Sequence, residues 1–266
     1  MNGSQDVRDA YAVSAHAWSA GPDKVFGAMA DALVARCPVP LRGAGAVDLG
    51  TGSGTVARAL LGAGANVVVA DDVAAMLATA RVRIGGPALL CDVRHLPVRA
   101  GAFTLACAGF VLNHLADPAA ALTAMRFAVR PGGAVLASTW ARGPEHPVKV
   151  ACEAELVARG WERPSWYARL KDVTTPLTDT DDGLAAAARD AGLVDIDAHV
   201  VTVDLSHLTA DDMIGWRLGI THSAPFVASL TDSERVQLVD DVKDRLDGVG
   251  APFALQMVVL SSRVAA

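Results

Sequence analysis

Cys37, Cys91, Cys107 and Cys152 form no Cys-x-x-Cys pair, and no histidine cluster stands beside them. That spacing argues against a zinc ligand set and against a disulfide framework, and it reads as four core thiols. No metal is expected. Long hydrophobic runs are missing too. Apolar residues make up 52% of the 266 positions, but the surplus is spread as alanine and valine. The longest run, FTLACAGFVL from Phe103 to Leu112, falls well short of the roughly 20 residues that span a bilayer. The opening MNGSQDVRDAY lacks the basic-then-apolar order of a signal peptide. There is no basic stripe: the arginines are scattered and the net charge is −6, which argues against a nucleic-acid surface. Internal repeats and low-complexity tails are absent. The expectation is a soluble, cytoplasmic protein, with no membrane or nucleic-acid partner, acting as a monomer or homodimer on a small molecule.

What is present is a βαβ rhythm. From about Ala44 to Thr139 short apolar runs alternate with alanine-rich helical stretches, the pattern of a parallel sheet covered on both faces. Strands are predicted at Ala46–Leu49, Asn66–Ala70, Ala88–Cys91, Phe103–Gly109 and Ala134–Thr139. Asp117 and Pro118 open a helix that Pro131-Gly132 is expected to stop. The fold class is therefore α/β, doubly wound and Rossmann-like. The chain divides into a helical preface (1–43), a binding core (44–140), an irregular or helical insertion (141–182) and a C-terminal part of the core (183–266). That last part holds a helix ending at Gly192, then a strand, then a helical insertion (209–247) with capping signals at Thr209-x-x-Asp212 and Thr231-x-x-Glu234.

The stretch VDLGTGSGTVARAL, Val47 to Leu60, packs three glycines and an acid into one strand-to-helix turn. Glycines there let a ligand approach the backbone. The dinucleotide fingerprint is G-x-G-x-x-G, whereas here the third glycine, Gly54, arrives one residue early. Asp48 would repel a pyrophosphate and suits a ligand carrying an ammonium group. A tight turn with no ligand would use the same glycines, so the other strand ends matter. Asp71 lies about 20 residues on, where an acid can bind both ribose hydroxyls. Asp92 ends the third strand, where a carboxylate could accept from an adenine amino group. Asn113 and His114 follow the fourth. Any one of these could be a cap or a solvated residue. Together they gather at the carboxyl edge of the sheet, where open α/β folds bind ligands.

These motifs resemble those of class I S-adenosylmethionine-dependent methyltransferases, in the small-molecule branch that serves quinone and natural-product biosynthesis. VDLGTGSG matches the first motif. VVVADDVAAML is similar to the second-strand motif, CDVRHLPVRAGAFTLA to the third, and LNHLADPAAALTAMRFAVRPGGAVLAST to the stretch through the fifth strand. The resemblance covers roughly Ala46 to Trp140. It implies a seven-stranded sheet whose last strand, FALQMVVLSSRV, runs antiparallel between the fifth and sixth, with helical lid insertions at both ends. S-adenosylmethionine would lie against Asp48, Gly50, Thr51, Gly52 and Gly54, with Asp71 and Asp72 near the ribose. Met76, Asp92 and the Val93 backbone would meet the adenine. S-adenosylhomocysteine would be the product. Two departures stand out: Phe103-Thr104 replaces the usual Phe-Asp, and Asn113-His114 replaces the commoner His-His.

Methyl transfer from a sulfonium is an in-line displacement in which the protein orients a nucleophile and, for a hydroxyl, removes its proton. Histidine is the natural base, and His16, His114, His146 and His222 are the candidates. His114 is the expected catalytic residue, because its strand end aims it at the transferred methyl. Tyr11, His16, Trp18, Asn113, Trp140, Trp216, His222 and Phe226 are expected around a fairly hydrophobic acceptor, although helix packing would account for several of them. Three rivals stay open: a cyclase or isomerase that retains the cofactor, a nicotinamide oxidoreductase, and a non-catalytic binding module.

Overall fold

The computed structural model describes residues 3–247 and 253–266. Two helices, α1 (Gly3–Ala20) and α2 (Pro22–Val34), precede the sheet. Then β1 (Gly45–Leu49), α3 (Thr55–Gly62), β2 (Asn66–Asp71), α4 (Ala74–Ile84), β3 (Ala88–Leu90), β4 (Phe103–Gly109), α5 (Pro118–Ala128) and β5 (Val129–Trp140) follow in alternation. The insertion carries α6 (Pro147–Ala158) and α7 (Ser165–Arg169). After it come α8 (Asp181–Asp190), β6 (Val194–Asp204), α9 (Ala210–Gly219), α10 (Ala224–Ser229), α11 (Asp232–Leu246) and β7 (Ala254–Arg263).

The seven strands lie in the order β3-β2-β1-β4-β5-β7-β6. The first five are parallel, and β7 runs antiparallel to both β5 and β6. Strand order reverses between β1 and β4, the switch point at which α/β sheets open a crevice. One apolar layer lies on each face. Leu33, Leu60, Leu105, Leu136 and Met213 are buried on one side, and Leu49, Leu122, Met125, Leu184 and Leu260 on the other. Burial on both faces is why these strands read as unbroken apolar runs.

Local chemistry sets the boundaries. The Asp117 carboxylate accepts from the Ala120 N–H at 3.0 Å, with Pro118 at the first helical position of α5. That helix ends at Ala128, three residues ahead of Pro131, so the expected stop is corrected. Pro131 and Gly132 instead form the irregular start of β5, where the register with β4 shifts between Phe103 and Leu105. Gly133 is required there, since a Cβ would sit 2.4 Å from Val129 and 2.6 Å from the Thr104 carbonyl oxygen. Both expected capping boxes form, at Thr209 with Asp212 and at Thr231 with Glu234. Among the described residues no helix is long and apolar enough to cross a membrane, and no group of three or more His, Cys, Asp or Glu could hold a metal ion.

Candidate active site

Parallel pairing brings the carboxyl ends of β1 to β5 to one edge, and a cavity of about 1350 Å³ opens over that edge. A single drug-sized ligand needs roughly 300–1,000 Å³, so there is room for two molecules side by side. Helix α1 and residues of the C-terminal helices close the cavity from above.

The first side of the cavity is the glycine turn. Gly50 and Gly52 hold φ of +59° and +55°, a region that side chains other than glycine rarely occupy. A Cβ on Gly52 would meet no protein atom within 4 Å, so the open space beyond it belongs to the cavity. Asp71 locks the turn: one carboxylate oxygen accepts from the Gly52 N–H at 2.8 Å, the other from the Val73 N–H at 2.9 Å. Each oxygen keeps a lone pair for a hydroxyl donor. Burial, with Asp72 adding to it against the two amide donors, raises the Asp71 pKa to about 6. Asp72 pairs with Arg8 of α1 at 2.7 Å. Asp92 is gripped by Arg94, whose hydrogen bonds lower its pKa to about 2. Thr51, Met76 and Val93 also border the cavity.

Two residues expected here face elsewhere. Asp48 is 1% exposed and does not border the cavity. Its Oδ2 accepts from the Thr51 hydroxyl at 2.6 Å and the Ala57 N–H at 3.0 Å, tying the turn to the first part of α3. Successive strand residues face opposite sides, and Asp48 takes the side that α3 covers. Gly54, at φ +90°, lies beneath the turn against Ala80 and Ile84 of α4.

The second side is aromatic. Tyr11 and Trp18 have ring centres 5.6 Å apart, and Trp18 stacks on Phe26 at 5.2 Å. Phe26 meets Phe110 edge-on at 5.2 Å, Phe110 lies 4.6 Å from Trp140, and Trp140 lies 6.0 Å from Trp216. Phe110 was missed in the sequence. It holds φ +58° while its N–H donates to the Ser138 carbonyl at 2.8 Å, which fixes the backbone from which its ring meets Phe26 and Trp140. His146 borders the cavity too, with Nδ1 accepting from the Val148 N–H at the start of α6.

Where the two sides meet, the Tyr11 hydroxyl lies 3.3 Å from His114 Nε2. His114 Nδ1 and Asn113 Oδ1 are buried with no hydrogen-bond partner among the described residues. Burial lowers the His114 pKa to about 4, with Asp72 opposing. His222 borders the other end, stacked on Tyr167 at 3.7 Å. Phe226 is corrected: it does not reach the cavity. The chain turns between α9 and α10, and Phe226 packs against the core instead. His16 lies within α1, but its side chain falls outside the described residues.

Residues 47–137 match the family described as "Methyltransferase domain". The ubiquinone biosynthesis O-methyltransferase of Dinoroseobacter shibae is 34% identical over 133 residues, 47% of this chain and 52% of that protein. The protein of the same name from Ruegeria pomeroyi is 31% identical over 163 residues, 59% of this chain and 63% of that one. The chain thus spans about half the length of the first of these curated relatives. Among solved structures, phosphoethanolamine N-methyltransferase 2 of Haemonchus contortus, in complex with S-adenosyl-L-methionine, superposes with a TM-score of 0.56 at 18% identity, covering 90% of this chain and 52% of that one. The [4+2]-cyclase SpnF superposes at 0.55 with 16% identity, covering 90% and 81%. The family match is confined to residues 47–137, about a third of the chain, and the structural likeness is one of fold.

Proposed function

We propose that the protein is an S-adenosylmethionine-dependent methyltransferase that alkylates a fairly hydrophobic small molecule of secondary metabolism, with oxygen the favoured acceptor over carbon or nitrogen. One observation carries the reading. A cavity large enough for two molecules has the glycine turn with Asp71 and Asp92 on one side, an aromatic wall on the other, and His114 at their junction. The O-methyltransferase relatives support oxygen as the nucleophile.

The residues present fit the cofactor. The uncovered space beyond Gly52 admits an amino-acid chain against the backbone, Asp71 can accept from a ribose diol, and Asp92 can accept from an amino group on a flat ring. S-adenosylmethionine, when bound, supplies a methyl group activated by a sulfonium. The aromatic wall binds and orients the acceptor and excludes water. Asp72 and Arg8 tie α1 down over the site. His114 stays neutral at working pH and can accept a hydrogen bond from an acceptor hydroxyl. As the new O–C bond forms that hydroxyl becomes acidic, so even a weak base at Nδ1 or Nε2 can take its proton.

A pKa as low as that of His114 also favours a second reading, a cyclase or isomerase that retains the cofactor and needs no strong base. Calorimetric titration with S-adenosylhomocysteine and, separately, NADH tests the cofactor class. Micromolar binding of the first alone is expected, and binding of NADH alone overturns the proposal. Accumulation of S-adenosylhomocysteine during turnover then separates methylation from cyclisation.

A further inference from the structure

The end of the cavity bordered by α9 contains a cation that has no counterion among the described residues. Arg217 of α9 is 6% exposed and borders the cavity. Its guanidinium donates to His222 Nε2 at 3.2 Å and lies 5.3 Å from the Trp216 ring centre. Among the described residues its buried Nε has no acceptor and no carboxylate forms an ion pair with it. A buried lysine or histidine can escape such a position by losing its proton, but an arginine does not. A buried charge is normally paired, because desolvation costs several kcal/mol that a neutral imidazole does not offset.

Other cations gather at the same place. Lys149, from α6, borders the cavity with its side chain 16% exposed and is held by Glu145. Lys171, in the turn after α7, is half-buried, borders the cavity and carries no ion pair among the described residues. Arg163 also acts on this region but is neutralised by Glu153 at 2.6 Å. His222 stays neutral because of burial and because Arg217, Lys149, Arg163 and Lys171 all surround it with positive charge. Glu145 is the facing carboxylate, and it is committed to Lys149. Trp216 connects this cluster to Trp140 on the aromatic wall.

We propose that the acceptor carries an oxyanion, a carboxylate or a phosphate, which docks on Arg217 and Lys171 beside the Lys149–Glu145 pair while its apolar body lies along Trp216 and Trp140. This rests on the methyltransferase reading and adds to it a charged group that fixes which end of the acceptor points away from the glycine turn. A fork of guanidinium donors matches the geometry of either oxyanion.

The test uses matched aromatic probes: 4-hydroxybenzoate, phenyl phosphate and the neutral 4-hydroxybenzamide, together with their naphthalene analogues. Each is titrated calorimetrically into the full chain, with and without S-adenosylhomocysteine. At least one anion series is expected to bind about ten-fold or more tightly than the neutral series, a margin of about 1.4 kcal/mol. Whichever of carboxylate and phosphate binds better identifies the group. Arg217→Met is expected to abolish the preference and Lys171→Met to reduce it several-fold, with affinity for S-adenosylhomocysteine unchanged in both. If Arg217→Met does not fold, Lys171→Glu at the half-buried position is expected to reverse the preference. Equal binding of acids and amides, no anion binding up to millimolar concentration, or a preference that survives these substitutions overturns the proposal. Failure to bind S-adenosylhomocysteine alongside an intact anion preference would instead sink the methyltransferase reading and leave the subsite standing.

Discussion

The hydroxyl of Tyr11, on the first helix, lies 3.3 Å from Nε2 of His114, in the loop after β4. The contact closes the preface over the edge of the sheet and leaves both rings partly buried, with His114 Nδ1 fully covered. Burial pushes the Tyr11 phenol well above its usual range and the His114 imidazole down to about 4. Both groups are therefore neutral from about pH 5 upward. The kcat profile is expected to show no histidine inflection between pH 6 and 7. His114→Ala should lower kcat by roughly a hundred-fold, the lower end of general acid–base contributions, while affinity for S-adenosylhomocysteine stays unchanged. An inflection near pH 6.5 that disappears in His114→Ala would show that the ring is not buried as described.

On the cofactor side, Gly52→Val should abolish S-adenosylhomocysteine binding. The new Cβ meets no atom of the described residues within 4 Å, and the side chain projects into the space proposed for the ligand, at a φ of +55° that a β-branched residue does not tolerate. Asp71→Ala removes the acceptor of the Gly52 and Val73 N–H groups as well as the proposed ribose partner. It should weaken binding by at least ten-fold. Unaltered affinity in both variants would remove the site assignment.

Much of this edge was legible in the sequence. Short apolar runs alternating with helices imply parallel strands, and parallel strands bring their carboxyl ends together. Asp71, Asp92, Asn113 and His114 could therefore be placed side by side without coordinates. Asp48 was misplaced because a strand alternates its faces and the covering helix cannot be read from the strand alone. Arg217, Tyr167 and Phe110 gave no signal, since their roles depend on how α9 and the insertion fold back over the sheet. Phe226 misled because the turn at Ile220 separates it from the helix that carries Trp216 and Arg217.

The Asp48 carboxyl governs a pH dependence of stability. Burial raises its pKa to about 7, against hydrogen bonds from Thr51 and Ala57 that lower it and with Asp71 adding to the rise. The folded protein thus holds a proton that the unfolded chain releases near pH 4. Its contribution is full below about pH 4 and is lost as pH rises through about 7. His114 acts in the opposite sense, losing stability as pH falls from about 6.5 toward 4. Comparison with Asp48→Asn isolates the carboxyl. The variant's stability relative to wild type should rise between pH 4 and 7 by on the order of a few kcal/mol. Parallel denaturation curves across that range would refute the assignment.

Trp216 is 2% exposed, and its buried Nε1 has no acceptor among the described residues. Its value is therefore its ring area. Trp216→Phe removes an unsatisfied donor and should cost little in urea unfolding. Trp216→Ala should cost about 3–5 kcal/mol and raise KM for apolar acceptors more than it lowers kcat. An equal loss in both variants would mean that the indole N–H has a partner.

The preface stays seated through a glycine contact between α9 and the junction of α1 with α2. A Cβ on Gly21 would lie 2.3 Å from the Gly215 carbonyl oxygen and 2.7 Å from its carbon, both rigid backbone. A Cβ on Gly215 would meet only Gly21 Cα, at an ordinary 3.9 Å. The two glycines touch each other, yet substitution should act in opposite directions. Gly21→Ala forces the preface off α9, at a cost of about 1–3 kcal/mol, and should loosen Tyr11 from His114, lowering kcat. Gly215 lies inside α9, where alanine favours the helix by up to about 1 kcal/mol, so Gly215→Ala should match or exceed wild-type stability. Thermal unfolding of the two variants side by side checks the pair. Equal destabilisation would mean that the helices pack more closely than the contact at Gly215 allows, whereas a harmless Gly21→Ala would mean that the preface is not held against α9 at all.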